Sequence, residues 1–134
     1  MADKLTILFV EDEADIRDIV MLAMRADEDM ELVCFQSGVD ALDAVIQTGR
    51  IFDCALLNLR LPFMSGIELH EQLRQLPGMA DLRTVLITAA VRPNDVEAYR
   101  RADIAGIISK PFDPMTLPQT VRGLLQPRSQ GPTG

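Results

Sequence analysis

Short apolar runs alternate with longer segments of helical periodicity five times along this chain of 134 residues. The apolar runs predict buried β-strands, because they are shorter than ordinary helices and lack the polar alternation of a half-exposed strand. The segments between them space apolar residues three and four positions apart, as amphipathic helices do. The five predicted strands are Leu5–Val10, Glu31–Phe35, Cys54–Leu57, Thr84–Thr88 and Gly106–Ile108.

Five strand–helix repeats predict an α/β domain with a parallel sheet that helices cover on both faces. The length fits one domain, which we predict to span residues 1–126. Residues 127–134 are polar and rich in proline and glycine, which predicts a disordered tail or a truncated linker. In open parallel sheets, ligands bind outside the carboxyl ends of the strands, so the residues that follow each strand are the candidate site.

The sequence predicts where the last helix starts and which side of the third helix is exposed. Asp113-Pro114 predicts the N-cap and first position of a last helix that runs to Leu125. Pro118 would then remove one backbone hydrogen bond inside this helix, unless the helix starts later. The third predicted helix covers 65–75, and its periodicity puts His70 on the exposed side.

Charge and cysteine content limit the partners and the compartment. Twenty acidic residues against 13 basic ones give a net charge of −7, which argues against direct binding of nucleic acid or an anionic membrane. No apolar run is long enough for a membrane span, and the first one is too short for a signal peptide. Cys34 and Cys54 form no CxxC pair, so we predict reduced thiols and a cytoplasmic protein.

Polar side chains gather at the predicted strand ends. Glu11 and Asp12 follow the first strand, Asn58 the third and Lys110 the fifth, while Thr88 ends the fourth. If these strands are neighbours, the five side chains converge at one edge of the sheet. Carboxylate and other oxygen ligands suit Mg²⁺, and a hydroxyl with an ammonium group suits a phosphoryl group. The pattern therefore predicts a cation and phosphoryl site.

Four motifs occur in order at this spacing: LFVEDE, LLNLRLPFMSG, VLITAA and IISKPFDP. With them the chain resembles the receiver domains of two-component response regulators from Leu5 to Leu125. The resemblance implies a flavodoxin-like (βα)5 three-layer sandwich with strand order 2-1-3-4-5. It also implies a signalling domain that is not itself an enzyme. A histidine kinase or phosphotransfer protein would be its partner, and an output partner would contact the surface of helix 4, strand 5 and helix 5.

The resemblance also implies roles for individual positions. The side chain at position 58 would accept the phosphoryl group, and the hydroxyl and the ammonium group would bind the phosphoryl oxygens. Mg²⁺ would lie between the acid pair, the acceptor and a backbone carbonyl, and a cis peptide would precede a proline. The positions are Asn58 for the acceptor, Thr88 and Lys110 for the phosphoryl oxygens, Glu11, Asp12 and Arg60 for the metal, and Pro111 for the cis peptide.

Asn58 departs from the family, in which this position is an aspartate. An amide nitrogen is not a nucleophile, so this chain should form no acyl phosphate there. The amide relieves the repulsion among three carboxylates and removes one anionic ligand, so Mg²⁺ should bind weakly. Two origins remain open: a change from aspartate that holds a phosphorylatable regulator in its off state, or a natural pseudo-receiver that binds a partner without phosphate.

Ile107 is a second departure, because many receivers carry an aromatic ring three residues before the lysine. Because an isoleucine has no ring to swing inward, any conformational switch here would have a shorter reach, or signalling would depend on the helix that starts at Pro93. On that helix, Val96 and Tyr99 either pack inward or face a partner. Ile107 is otherwise an ordinary core residue of the fifth strand.

Simpler readings of the site residues also stay open. The acids after the first strand could serve only the following helix N-terminus, and Lys110 could be a surface lysine. A flavin carrier of related topology would need Ser, Thr and Gly in place of EDEAD, and a phosphatase with an aspartate nucleophile would need Asp-x-Asp after the first strand.

Overall fold

The computed structural model describes residues 4–89 and 92–126, which form a parallel sheet and the helices that cover it. The strands are β1 (Leu5–Val10), β2 (Met30–Phe35), β3 (Cys54–Asn58), β4 (Arg83–Thr88) and β5 (Gly106–Ser109). The helices are α1 (Ala14–Met24), α2 (Gly38–Thr48), α3 (Gly66–Arg74), α4 (Pro93–Arg101) and α5 (Leu117–Leu125). The strand order is β2-β1-β3-β4-β5, which confirms the predicted flavodoxin-like fold.

Two apolar cores lie on opposite faces of the sheet. Successive strand residues point to opposite faces, so Phe9 and Leu8 belong to different cores. Phe9 packs with α1 and α5, and Leu8 packs with α2, α3 and α4. β3 is the central strand, and all five of its residues are buried, as a sheet covered on both sides requires.

The strand register aligns the carboxyl ends of β1, β3, β4 and β5 at one edge. Val10 pairs with Leu57 across β1 and β3, and Asn58 pairs with Ile87 across β3 and β4. Thr88 then pairs with Ser109 across β4 and β5. The residues that follow these strands therefore lie along a single rim of the sheet.

The last helix starts later than the Asp113-Pro114 signal predicts. α5 begins at Leu117, so Pro118 lies in its first turn, where the missing N–H breaks no helical hydrogen bond. The Asp113 carboxylate accepts a hydrogen bond from the backbone N–H of Met115 at 2.9 Å and forms a turn in place of an N-cap. The alternative of a late start is thus confirmed.

The prediction that His70 is exposed is wrong. His70 lies on α3 but is fully buried between α3, β4 and the end of α4. Its Nδ1 is 2.6 Å from the hydroxyl of Thr84, and its Nε2 is 2.7 Å from the carbonyl oxygen of Ala102. These two partners satisfy both ring nitrogens, which is what a buried histidine requires.

Other expectations concern the cysteines, membranes and the tail. Cys54 is buried and Cys34 half-buried, both are free thiols, and burial raises the pKa of each. Within the described ranges, no helix is long and apolar enough to cross a membrane. The predicted tail, 127–134, lies outside the described residues.

Candidate functional site

Glu11 and Asp12 follow the last residue of β1 and differ sharply in exposure. The Glu11 side chain is fully buried, whereas Asp12 is exposed. Burial raises the pKa of Glu11, although a backbone N–H from Glu13 at 3.2 Å and the charge of Lys110 both act to lower it. The rim thus holds one desolvated acid beside one hydrated acid.

Asn58 ends β3 and is 6% exposed. Its amide nitrogen Nδ2 donates to three oxygens of three different residues. The acceptors are Oε2 of Glu11 at 3.1 Å, Oδ1 of Asp12 at 3.2 Å and the backbone carbonyl of Arg60 at 3.2 Å. An amide has two N–H bonds, so these three contacts include a shared one. Both N–H bonds of the amide at the end of β3 therefore have acceptors inside the fold.

Lys110 completes the polar cluster from β5. Its Nζ lies 3.3 Å from Oε1 of Glu11 and 3.4 Å from Oδ1 of Asn58, and its side chain is 18% exposed. Its backbone N–H donates to the Thr88 carbonyl at 2.8 Å, and the following peptide to Pro111 is cis. A buried carboxylate, an amide and an ammonium group are thus linked in one network.

Thr88 lies at the end of β4 and is 1% exposed. It comes one residue after Ile87, the register partner of Asn58. The backbone therefore places Thr88 at the same rim as the cluster, between the strands that carry Asn58 and Lys110.

Arg60 contributes to the site through its backbone and to α4 through its side chain. Its carbonyl accepts from Asn58, and its half-exposed guanidinium lies 3.4 Å from the carboxylate of Asp95 in the first turn of α4. The charge of Arg60 is therefore directed to α4.

The residues named for an output surface lie between α4 and β5. Tyr99 is 6% exposed, Val96 is 43% exposed, and Ile107 is half-buried. Together they line a shallow groove of about 320 Å³. Burial raises the pKa of Tyr99, whose hydroxyl has no hydrogen-bond partner in the described part of the chain. Tyr99 thus packs inward, while Val96 faces outward.

The cluster has the oxygen ligands that a divalent cation prefers, but a nitrogen lies at their focus. Glu11, Asp12 and the Arg60 carbonyl supply hard oxygen donors, as Mg²⁺ requires. All three are directed at Nδ2 of Asn58, a hydrogen-bond donor that cannot bind a cation. Across residues 4–89 and 92–126, no three His, Cys, Asp or Glu side chains group as a metal site.

Gly66 supports the site and was not predicted from the sequence. A Cβ at Gly66 would lie 2.6 Å from the Asn58 carbonyl oxygen, so only glycine allows this close approach of α3 to β3. The available signal is the S-x-x-E spacing of Ser65 and Glu68, which form a capping box and place the glycine at the first helical position.

Comparisons with known proteins identify the family of the chain. The family model described as the response regulator receiver domain matches residues 7–122 of the chain. A cyclic di-GMP phosphodiesterase response regulator, RpfG of Xanthomonas campestris pv. campestris (strain 8004), is 33% identical over 128 residues, which cover 94% of this chain and 33% of that protein. The chain spans 33%, 42% and 51% of the lengths of three curated relatives that it matches.

Solved structures resemble the fold closely. The chemotaxis response regulator CheY4 of Vibrio cholerae has a TM-score of 0.77 at 25% identity and covers 90% of this chain and 98% of its own. The Mn²⁺-bound form of the response regulator Rcp1 has a TM-score of 0.73 at 25% identity, with 90% and 91% of the two chains covered. A family model that matches most of the chain, and a rim of acids, amide and lysine on the fold of these regulators, lead to one conclusion: the chain belongs to the response regulator receiver domain family.

Proposed function

We propose that this receiver domain acts in a two-component phosphorelay as a cytoplasmic, non-enzymatic signalling module, and that position 58 is its phosphoacceptor position. With aspartate there, a carboxylate oxygen would attack the phosphorus, and the bond to the donor histidine would break. With Asn58 the domain stays unphosphorylated. The observation that carries this proposal is the amide at the end of β3, enclosed by Glu11, Asp12 and Lys110 at 3.1–3.4 Å.

The surrounding groups suit the transfer in the aspartate form. The ammonium of Lys110 would bind the phosphoryl oxygens as a charged donor, and such donors form the strongest hydrogen bonds to them. The hydroxyl of Thr88 would donate one further hydrogen bond. Glu11, Asp12 and the carbonyl of Arg60 would hold a divalent cation, which would neutralise charge on the phosphoryl group. The donor would be a histidine kinase or a histidine phosphotransfer protein.

Intact-mass spectrometry with acetyl phosphate and Mg²⁺ tests this proposal. The unsubstituted chain should keep its mass, and Asn58→Asp should gain one phosphoryl group while releasing acetate. Asn94 is the only other asparagine and is exposed on α4, so Asn94→Asp is a matched control that should gain nothing. Equal labelling of both variants, or no labelling of Asn58→Asp, would overturn the assignment of position 58.

The output partner is proposed to bind the surface formed by α4, β5 and α5. The groove lined by Val96, Tyr99 and Ile107 lies on this surface. Several curated relatives are much longer than this chain, so the output partner is either a separate protein or a further domain of a longer protein.

A natural pseudo-receiver is the second candidate. It is favoured by the hydrogen bonding of the Asn58 amide, because both Nδ2 and Oδ1 have partners in the pocket without a phosphoryl group. A pseudo-receiver would bind its partner with full affinity as it stands. Its affinity would not respond to Asn58→Asp plus a phosphodonor, whereas the affinity of a phosphorylation-controlled domain would.

A further inference from the structure

The amide nitrogen of Asn58 and a bound cation would need the same three oxygens. Nδ2 lies 3.1 Å from Oε2 of Glu11 and 3.2 Å from both Oδ1 of Asp12 and the carbonyl oxygen of Arg60. We propose that this amide takes the place of the divalent cation, so that the acidic pocket is closed without metal and Mg²⁺ has to displace the amide in order to bind. This inference rests on the proposed receiver function, and it states how access of the cation to the site is controlled.

Lys110 fixes the orientation of the amide. Its Nζ lies 3.4 Å from Oδ1 of Asn58 and also pairs with Oε1 of Glu11 at 3.3 Å. The ammonium therefore contacts the oxygen end of the amide, while the nitrogen end contacts the two acids and the Arg60 carbonyl. A half-turn of the amide would direct its N–H bonds at the ammonium and its oxygen at two carboxylates, and both pairs repel. Binding of Mg²⁺ through Oδ1 requires that half-turn. The orientation in the structure therefore favours the amide as a competitor of the cation and disfavours it as a ligand.

Burial strengthens this competition. Glu11 is fully buried and Asn58 is 6% exposed, so water cannot easily replace the hydrogen bonds that a cation would break. The amide also places partial positive charge between Glu11 and Asp12, which reduces the repulsion between them. Both effects are present in the chain before any metal arrives.

The two roles of Asn58 predict opposite effects of removing it. If the side chain is a weak ligand, Asn58→Ala should bind Mg²⁺ more weakly than the unsubstituted chain does. If the amide is a competitor, Asn58→Ala frees three oxygens and should bind Mg²⁺ more tightly, although it has lost a polar group. We expect a gain of about fivefold to tenfold, as the release of about one net hydrogen bond gives.

Thermal unfolding against MgCl₂ measures this difference, because a ligand that binds only the folded state raises the midpoint. The midpoint of the unsubstituted chain and of the Asn94→Ala control should respond little to millimolar Mg²⁺. The midpoint of Asn58→Ala should rise clearly, and that of Asn58→Asp should rise most. A smaller response of Asn58→Ala than of the unsubstituted chain would overturn the inference. Asn58→Ser serves if Asn58→Ala fails to fold.

A second measurement uses the unsubstituted chain alone. The Asn58 side-chain NH₂ resonances, assigned by their loss in Asn58→Ser, should exchange slowly with water and should not shift with Mg²⁺. A rapidly exchanging NH₂ pair would contradict the inference. If Asn58→Asp is phosphorylated but Asn58→Ala gains no metal response, this inference fails and the proposed function stands. If Asn58→Asp is not phosphorylated, the proposed function fails by itself.

Discussion

The imidazole of His70 on α3 meets the hydroxyl of Thr84 on β4 inside the core, with 2.6 Å between Nδ1 and Oγ1. The other ring nitrogen, Nε2, faces the carbonyl of Ala102, which can only accept. Nε2 therefore carries the proton, and the Thr84 hydroxyl donates to Nδ1. One neutral side chain thus joins α3, β4 and the C-terminal end of α4.

This arrangement predicts a pH-dependent stability that depends on His70. Burial lowers the pKa of His70 below its ordinary value of 6.5, so the unfolded state binds the proton more readily. The contribution is fully present above about pH 6.5 and is lost as the pH falls toward the folded-state pKa. The free energy of unfolding should decrease by at most about 1.4 kcal/mol per pH unit in this window.

Urea unfolding at several pH values between about 7 and 5 measures this slope. His70 is the only histidine, so His70→Gln is a clean comparison in which the carboxyl groups titrate as before. The slope in this window should be smaller in His70→Gln. Equal slopes in both proteins would show that His70 does not carry the effect.

Introducing aspartate at position 58 should destabilise the metal-free domain. Asn58→Asp removes the donor of three hydrogen bonds and places a third carboxylate beside Glu11 and Asp12. Repulsion in such a cluster is worth roughly 3 kcal/mol per pair at an effective dielectric near 20, and Lys110 offsets part of it, so we expect a net loss of about 1–3 kcal/mol. Urea unfolding in EDTA should show the loss, Mg²⁺ should restore it, and Asn94→Asp should show neither effect.

Gly66→Ala should destabilise the domain by about 1–3 kcal/mol, because the new Cβ would lie 2.6 Å from the Asn58 carbonyl oxygen and force α3 away from β3. Gly123→Ala in α5 is the matched control, since, apart from its chain neighbours and its own helix backbone, no atom of the described residues lies within 4 Å of the Cβ position there. That control should gain up to about 1 kcal/mol from helix propensity. Chemical denaturation of both variants checks the contrast, and a similar gain in Gly66→Ala would contradict the packing described here.

Phe63→Gly should stabilise the domain slightly. Phe63 has φ of 70°, which strains a residue that carries a Cβ. Its side chain is 99% exposed, so within the described part of the chain its ring gains little from packing. Relief of a left-handed conformation gives about 1–2 kcal/mol, and the added freedom of glycine in the unfolded state removes about half of it. Thermal unfolding should show the gain for Phe63→Gly and almost none for Phe63→Ala, which keeps the Cβ.

The sequence predicts the fold and the location of the cluster because both depend on local patterns. Apolar runs and helical periodicity predict the parallel α/β fold, and the strand order that the receiver-domain resemblance implies brings Glu11, Asp12, Asn58 and Lys110 to one rim. The burial of His70 was not predictable from helical periodicity, which counts histidine as polar. Its partners come from β4 and the end of α4, and only tertiary packing brings them together.

Two further features depend on competition between local signals or between partners. Both Asp113-Pro114 and Pro118 favour a helix start, and the requirement for backbone N–H groups after the first turn decides for Leu117. The orientation of the Asn58 amide follows from its partners, because acceptors surround Nδ2 and the ammonium of Lys110 lies beside Oδ1. No sequence pattern encodes that direction.

Arg60 joins the rim to α4 through a single residue, with its carbonyl on Asn58 and its guanidinium on Asp95. The two contacts are coupled, because a displacement of the Arg60 peptide also moves the base of the side chain that reaches Asp95. A change of side chain at position 58 is therefore expected to reach the first turn of α4 through Arg60, by a route that does not involve position 107.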